Sequence, residues 1–385
     1  MDSSIGERLR SVRKRRGLSQ LELATAAGMS LSLVKKLEQG AIADARLETL
    51  RRLAVALRVP TSHLVAGPEQ SDPVTPERWD DVREALYRPA PAGEGATPHG
   101  VLVSLAALMP AWRANEYSLV HDMLPGLIRD ALSLDGDGRM ARSRVLNATA
   151  WLLTMTRQFD DALTAAGLAL DAAPDVLDSM AAVGVMAWCL LRQGRLEEAG
   201  SLAVEWADRA EPRFSRAADA ELAAYGKVLL YVNNAMVRDN RPGEAEDALS
   251  LARAAAAKIR RDIPANASTT MTFGPAQVAI IGVENASLTG QPDRVLSLAG
   301  RIRGPALAQV EPAQRLRHRL DVAGAHVSLR HYAEGIGVLR EINDAAPEWL
   351  MHQRYARDIL GRIIDKRRTL TPEMRDLADA VRLPL

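Results

Sequence analysis

Cysteine is all but missing: Cys189 is alone in 385 residues, so the chain holds no disulfide framework and no thiolate metal site of its own. Its setting, an Ala/Leu/Trp run, assigns it to packing. Aromatic residues make up only 4%, and the 47% apolar content rests on Ala, Leu, Val and Ile, which favours close-packed helices over sheets. No stretch approaches the roughly 18 uncharged apolar residues of a membrane span, and the opening MDSSIGERLR lacks an apolar signal core. A cytoplasmic protein without membrane contact is expected. GxxxxGK[ST], GxSxG and HExxH are absent and the histidines are scattered. Even His318, Asp321 and His326, one or two turns apart, read as packing or solvated groups. Neither an enzyme nor a cofactor nor a bound metal is expected. Lysine is rare too, only 6 of 49 basic residues, which with so much Ala suggests a high-G+C bacterial genome.

The length suffices for two or three domains. The net charge of +1 conceals an asymmetry, because residues 1–66 carry 12 basic and 6 acidic groups while the remainder is net acidic by 5. A basic head on a mildly acidic body suggests that one end meets a polyanion.

Within that head, Ile5, Leu9 and Val12 recur at helical spacing, and Gly17 closes the helix where a left-handed residue is needed. Ser19 and Glu22 form a capping-box pair for a second helix, whose buried stripe is Leu23, Ala24 and Ala27. Gly28 and Met29 supply a tight turn; Ser30 caps a third helix with Leu33, Val34 and Leu37 inward, and Gly40 stops it. A fourth helix spans 47 to 57, and a last short turn begins at Pro60. The spacing of Ala24, Gly28 and Val34 lets two helices cross steeply. IGERLRSVRKRRGLSQLELATAAGMSLSLVKKLEQG followed by LETLRRLAVALRVPTSHLV resembles the Cro/repressor helix-turn-helix family, also called the xenobiotic-response-element family, over about a sixth of the chain. The resemblance implies a five-helix, lambda-repressor-like domain whose third helix enters the major groove of double-stranded DNA, bound as a homodimer. By position, Gln20 is implied to bind phosphate. Ser30, Leu31, Ser32, Lys35 and Lys36 are implied to face the groove, and Arg46 to contact DNA nearby. Ser and Lys suit base acceptors, whereas Leu31 offers only apolar contact. Arg13 and Glu38 are implied to form an ion pair that also aims the arginine at a phosphate.

Residues 67–100 read as a linker, hinge, docking helix, hinge: Thr75 and Pro76 start the helix, Trp79, Val82, Leu86 and Tyr87 form its apolar side, and Pro89 ends it.

From residue 101 to 385 no strand pattern is evident, and a loose repeat is. Ala162, Ala199, Ala245, Val295 and Gly335 occupy one small-residue slot, 37, 46, 50 and 40 residues apart, with Val120 in a weaker first copy. Phe159, Leu196 and Tyr332 follow the turns, and Pro174 and Pro347 close their units. This body resembles the tetratricopeptide repeat, which implies an all-α architecture: a solenoid of helical hairpins with C-terminal capping helices and a concave groove. Its groove-facing candidates are Arg144, Asn147, Trp151, Trp188, Lys227, Asn234, Gln277, Glu284 and Arg317. Head and body together resemble peptide-pheromone receptors of the RRNPP type and a high-G+C group of single-component regulators. The expectation is a DNA-binding regulator whose body dimerises and senses a peptide or small-molecule effector. The competing expectation is a DNA-binding scaffold whose body docks a protein partner.

Overall fold

The computed structural model describes residues 4–42, 45–65, 79–88, 96–268, 271–366 and 370–383. Among the described residues the chain is all-α apart from one pair of two-residue strands.

The head forms α1 (Ile5–Arg15), α2 (Gln20–Ala26), α3 (Leu31–Glu38) and α4 (Leu47–Leu57), then a single 3-10 turn at Thr61–His63 in the place of a fifth helix. Serines begin the first three. The Glu22 amide donates to Ser19 Oγ at 3.2 Å and the Ser19 amide to Glu22 Oε2 at 2.7 Å, the reciprocal pair expected of a capping box. Ser30 Oγ accepts from the Leu33 amide, and Ser4 caps α1 in the same way with Glu7. Gly17, Gly28 and Gly40 all take left-handed φ, so the chain reverses without a Cβ penalty. Leu9, Leu23, Val34, Leu37, Leu53 and Leu57 meet in a core separate from that of the body.

Helix α5 (Asp80–Tyr87) is no free connector: Trp79, Val82, Ala85 and Leu86 join the core of the body, and Arg83 reaches Asp161 Oδ2 at 2.8 Å. Tyr87 departs from the expected apolar stripe, lying half exposed with its hydroxyl donating to Asp161. The expected start at Thr75 and Pro76, the end at Pro89 and the flanking hinges lie outside the described residues.

Six helical hairpins follow among the described residues. They are α6 (Pro98–Ala114) with α7 (Tyr117–Ser133), α8 (Arg139–Met155) with α9 (Phe159–Ala172), and α10 (Val176–Arg192) with α11 (Leu196–Arg209). Then come α12 (Asp219–Arg238) with α13 (Pro242–Ile259), α14 (Pro275–Leu288) with α15 (Pro292–Ala299), and, after the one-turn α16 (Gly304–Leu307), α17 (Pro312–Ser328) with α18 (Tyr332–Ala345). Helices α19 (Pro347–Met351), α20 (Arg354–Ile364) and α21 (Pro372–Ala380) pack against α17 and α18 and close the stack. Pro347 therefore both ends one unit and opens a helix, where its missing N–H costs nothing.

The hairpins share one turn. Asn115, Arg157, Gly194, Asn240, Gly290 and Arg330 are all left-handed, and each stands five residues before the small-residue slot at Val120, Ala162, Ala199, Ala245, Val295 or Gly335. A left-handed residue at the helix end redirects the chain within one turn, and the small side chain then lets the second helix lie close against the first. The irregular period has a physical origin. The strands β1 (Ile263–Pro264) and β2 (Thr272–Phe273) are inserted after α13, which lengthens the interval between Ala245 and Val295. Phe273 from this insertion packs so closely on α12 that a Cβ at Gly226 would come within 2.0 Å of its ring.

Candidate functional site

The recognition-type helix α3 presents one polar face. Ser30, Ser32, Lys35 and Lys36 are exposed, while Val34 and Leu37 are buried beneath them, so the amphipathic spacing turns both lysines of the helix outward. Leu31 is half-buried and packs on the core of the head. Arg13 forms the expected ion pair: Nε and Nη2 donate to the two carboxylate oxygens of Glu38 at 2.5 and 2.8 Å. Its remaining nitrogen donates to the Leu18 carbonyl at 2.7 Å. With all three nitrogens engaged and only 8% of the residue exposed, Arg13 holds α1 to α3. Gln20 completes the cluster by donating to Glu38 Oε2 at 2.7 Å, which leaves its second amide hydrogen for a phosphate. Burial raises the Glu38 pKa, yet the bonds from Arg13 and Gln20 outweigh it and hold the carboxyl below its ordinary value. Arg46, expected on DNA, is exposed, and its Nη1 pairs with Asp358 of α20 at 2.5 Å.

The head is seated on the body through the N-terminal half of α4 and residues 59–65. Arg51 donates to the carbonyls of Val237 (3.5 Å) and Leu288. The amides of Thr61 and Ser62 donate to the carbonyl and Oδ1 of Asp239, at 3.2 and 2.7 Å, and Asn240 Nδ2 donates to the Val59 carbonyl at 3.3 Å. Leu47 packs with Leu190, Leu191 and Leu196 near Gly194. The turns of three successive hairpins, at Gly194, Asn240 and the Leu288 end of α14, thus form the seat.

Under that seat lies a cavity of about 590 Å³ walled by the first helices of successive hairpins, α20 and α4 itself. Three of the groove candidates meet here: Trp151, Trp188 and Arg317. Glu284 stands just behind, taking a 2.6 Å contact from the lining residue Arg238, with Arg317 at 3.8 Å. The other five do not line this cavity. Arg144 is paired with Asp178 at 3.1 Å. Asn147 and Asn234 are buried between helices. Lys227 donates to the Thr272 carbonyl at 3.4 Å, and Gln277 is fully buried, its backbone N–H donating to Asp262 Oδ2 at 2.8 Å. The strand insertion accounts for these two, since it covers the part of the groove that the repeat register left open. Burial pushes the Lys227 ammonium below its ordinary value, with Glu311, Asp262 and Glu284 opposing.

The reading of the sequence missed the arginines of the cavity: Arg157, Arg192, Arg238, Arg354 and Arg362. A signal existed, because Arg192 and Arg238 hold the same position, seven residues before the small-residue slot. Burial, and then the neighbouring Arg157 and Arg317, push the Arg192 guanidinium down to about 10. Burial raises Asp321 to about 6, with Arg317 opposing; Arg238 and Arg317 keep Glu284 ionised below its ordinary value despite burial.

The geometry of the head is that of a helix-turn-helix domain. Residues 9–64 match the helix-turn-helix family, so the chain carries a domain of this family, of the xenobiotic-response-element type, at its N-terminal end. Among curated proteins the chain is similar to the uncharacterized HTH-type transcriptional regulator RghRB of Bacillus subtilis (strain 168), 33% identical over 85 residues, which is 22% of this chain and 57% of that protein. The match thus spans little more than half of the relative. Among solved structures it is similar to Bacillus thuringiensis PlcR, crystallised with the peptide PapR7 and DNA (14% identity, 87% of this chain, 98% of the other, TM-score 0.36). A second is ComR of S. thermophilus with DNA and its signalling peptide ComS (10% identity, 89% and 99%, TM-score 0.21). Neither likeness is deep enough to define the body, whose architecture follows from its own hairpins. No helix among the described residues is long and apolar enough to cross a membrane.

Proposed function

We propose that the protein is a sequence-specific DNA-binding transcription regulator, acting as a homodimer, in which the body senses a ligand and sets the placement of the head. What supports DNA binding above all is the exposed face of α3, where Ser30, Ser32, Lys35 and Lys36 stand together on a helix braced from behind by the Arg13–Glu38–Gln20 cluster. Serine hydroxyls and lysine ammoniums on such a face reach base acceptors in the major groove, while the brace keeps the helix at a constant angle to the duplex. What supports ligand sensing is the cavity beneath α4. A molecule entering it touches the head and the body at once, and any difference in its affinity for the seated and unseated arrangements shifts their populations.

The test is to recover genomic fragments with the full-length protein and sequence them. A paired motif with half-sites about 10 base pairs apart is expected, and it should vanish when Lys35 and Lys36 are both replaced by Ala. Recovery of unrelated fragments, or the same motif with the double variant, would remove the proposal. Co-purification of a stoichiometric protein in place of a low-mass ligand would favour the docking-scaffold reading of the body.

A further inference from the structure

The cavity under α4 is rich in hydrogen-bond donors: among the described residues, nine arginines line it against three carboxylates, Glu48, Glu311 and Asp358. Arg238 and Arg317 are met by Glu284 and Asp321, and Arg46 by Asp358. Arg192 is different. It reaches the cavity from the last turn of α10, its charged neighbours there are Arg157 and Arg317, and among the described residues it makes no ion pair. A guanidinium set deep among like charges is costly unless an anion accompanies it. Two further lining residues ask for the same kind of partner: the indole Nε1 atoms of Trp188 and Trp349 are buried without an acceptor, and an indole nitrogen can only donate. Trp151 and Trp188 add flat apolar surface.

Resting on the sensing role proposed above, we infer that the cavity binds a compact aromatic anion: a flat ring system that stacks on the tryptophans and carries carboxylate or phosphate groups for Arg192 and its neighbours. The volume of about 590 Å³ suits a single small molecule, and α4 roofs the groove along which an extended peptide would run. The head provides a rival for the same charges. Glu48 of α4 lines the cavity, with Arg51, Arg52, Arg362 and Arg238 as its charged neighbours. An entering anion competes with Glu48, which is how occupancy would loosen the seat of the head.

The experiment is calorimetric titration of the full-length protein, at fixed salt, with AMP and benzene-1,3,5-tricarboxylate as anionic aromatic probes and adenosine as the uncharged control. At least one anion should bind while adenosine does not. Arg192→Gln should weaken that binding by roughly tenfold or more, the loss of a charge-assisted contact, and Arg192→Lys should restore part of it. Glu48→Gln should tighten it. Failure of both anions to bind, or equal affinity in wild type and Arg192→Gln, overturns the inference. Circular dichroism melting of each variant separates a lost site from a lost fold. DNA recovery is measured on the same preparations without probe: its failure would strike the regulator reading while leaving the anion site standing.

Discussion

Arg51 and Arg52 are neighbours on α4 and hold opposite partners. Arg51 donates to the carbonyls of Val237 and Leu288 in the body, while Arg52 donates to those of Ala27 and Gly28 in the turn between α2 and α3, at 2.7 and 2.6 Å. One helical turn therefore connects the wall of the cavity to the turn that aims the recognition-type helix. Arg51→Met keeps the apolar stem and removes the bonds to the body. The expected result is faster hydrogen exchange at the Thr61 and Ser62 amides and a larger radius of gyration by small-angle scattering, with the head still folded. Unchanged exchange at both amides would mean that Arg51 does not hold the seat.

The Arg13–Glu38 pair is predicted to be the principal polar brace of the head. Its removal by Glu38→Ala leaves a mostly buried guanidinium without a counter-charge, so the head should lose about 3 kcal/mol of stability, read from its own unfolding transition. The lowered Glu38 pKa gives the sign with pH: this contribution is present above the ordinary carboxyl range and fades as the pH falls through the depressed value.

Replacing Lys35 and Lys36 by Ala should weaken DNA binding and make the slope of log affinity against log salt shallower by up to about two, if both ammoniums displace counterions. If one of them reads a base instead, its single variant should relax sequence preference with a smaller change in salt slope. Anisotropy titrations at several salt concentrations distinguish the two lysines.

Asp321 predicts an opposite pH dependence in the body. Its ordinary value is 3.8, burial raises it to about 6, and Glu284 adds to the rise while Arg317 resists it. The folded state thus binds a proton that the unfolded chain releases, so this stabilisation is complete below about 4 and disappears as the pH rises through about 6. Urea unfolding of wild type and Asp321→Asn across that window should diverge steadily, the variant being relatively more stable at the higher pH. Parallel curves would show that Asp321 does not titrate there.

Much of the molecule was legible from local pattern. The capping pair Ser19 and Glu22, the turn at Gly28 and the small-residue slots from Val120 to Gly335 are each determined by neighbours a few residues away, and each reappears in the fold. Arg144, Asn147, Lys227, Asn234 and Gln277 were less tractable. Helical periodicity states which face a residue occupies, but not what a distant segment places over that face; over Lys227 it is the strand insertion around Thr272.

By itself, then, the sequence determined a basic helix-turn-helix head, a stack of helical hairpins and the polar face of α3, because short-range sterics and amphipathic spacing suffice for all three. Tertiary structure alone decided that Arg13 also holds the Leu18 carbonyl, that α4 roofs the cavity, and that Arg192 converges on Arg157 and Arg317. The last two relationships join residues tens to hundreds of positions apart, and only the packing of hairpin on hairpin brings their charges into one low-dielectric space.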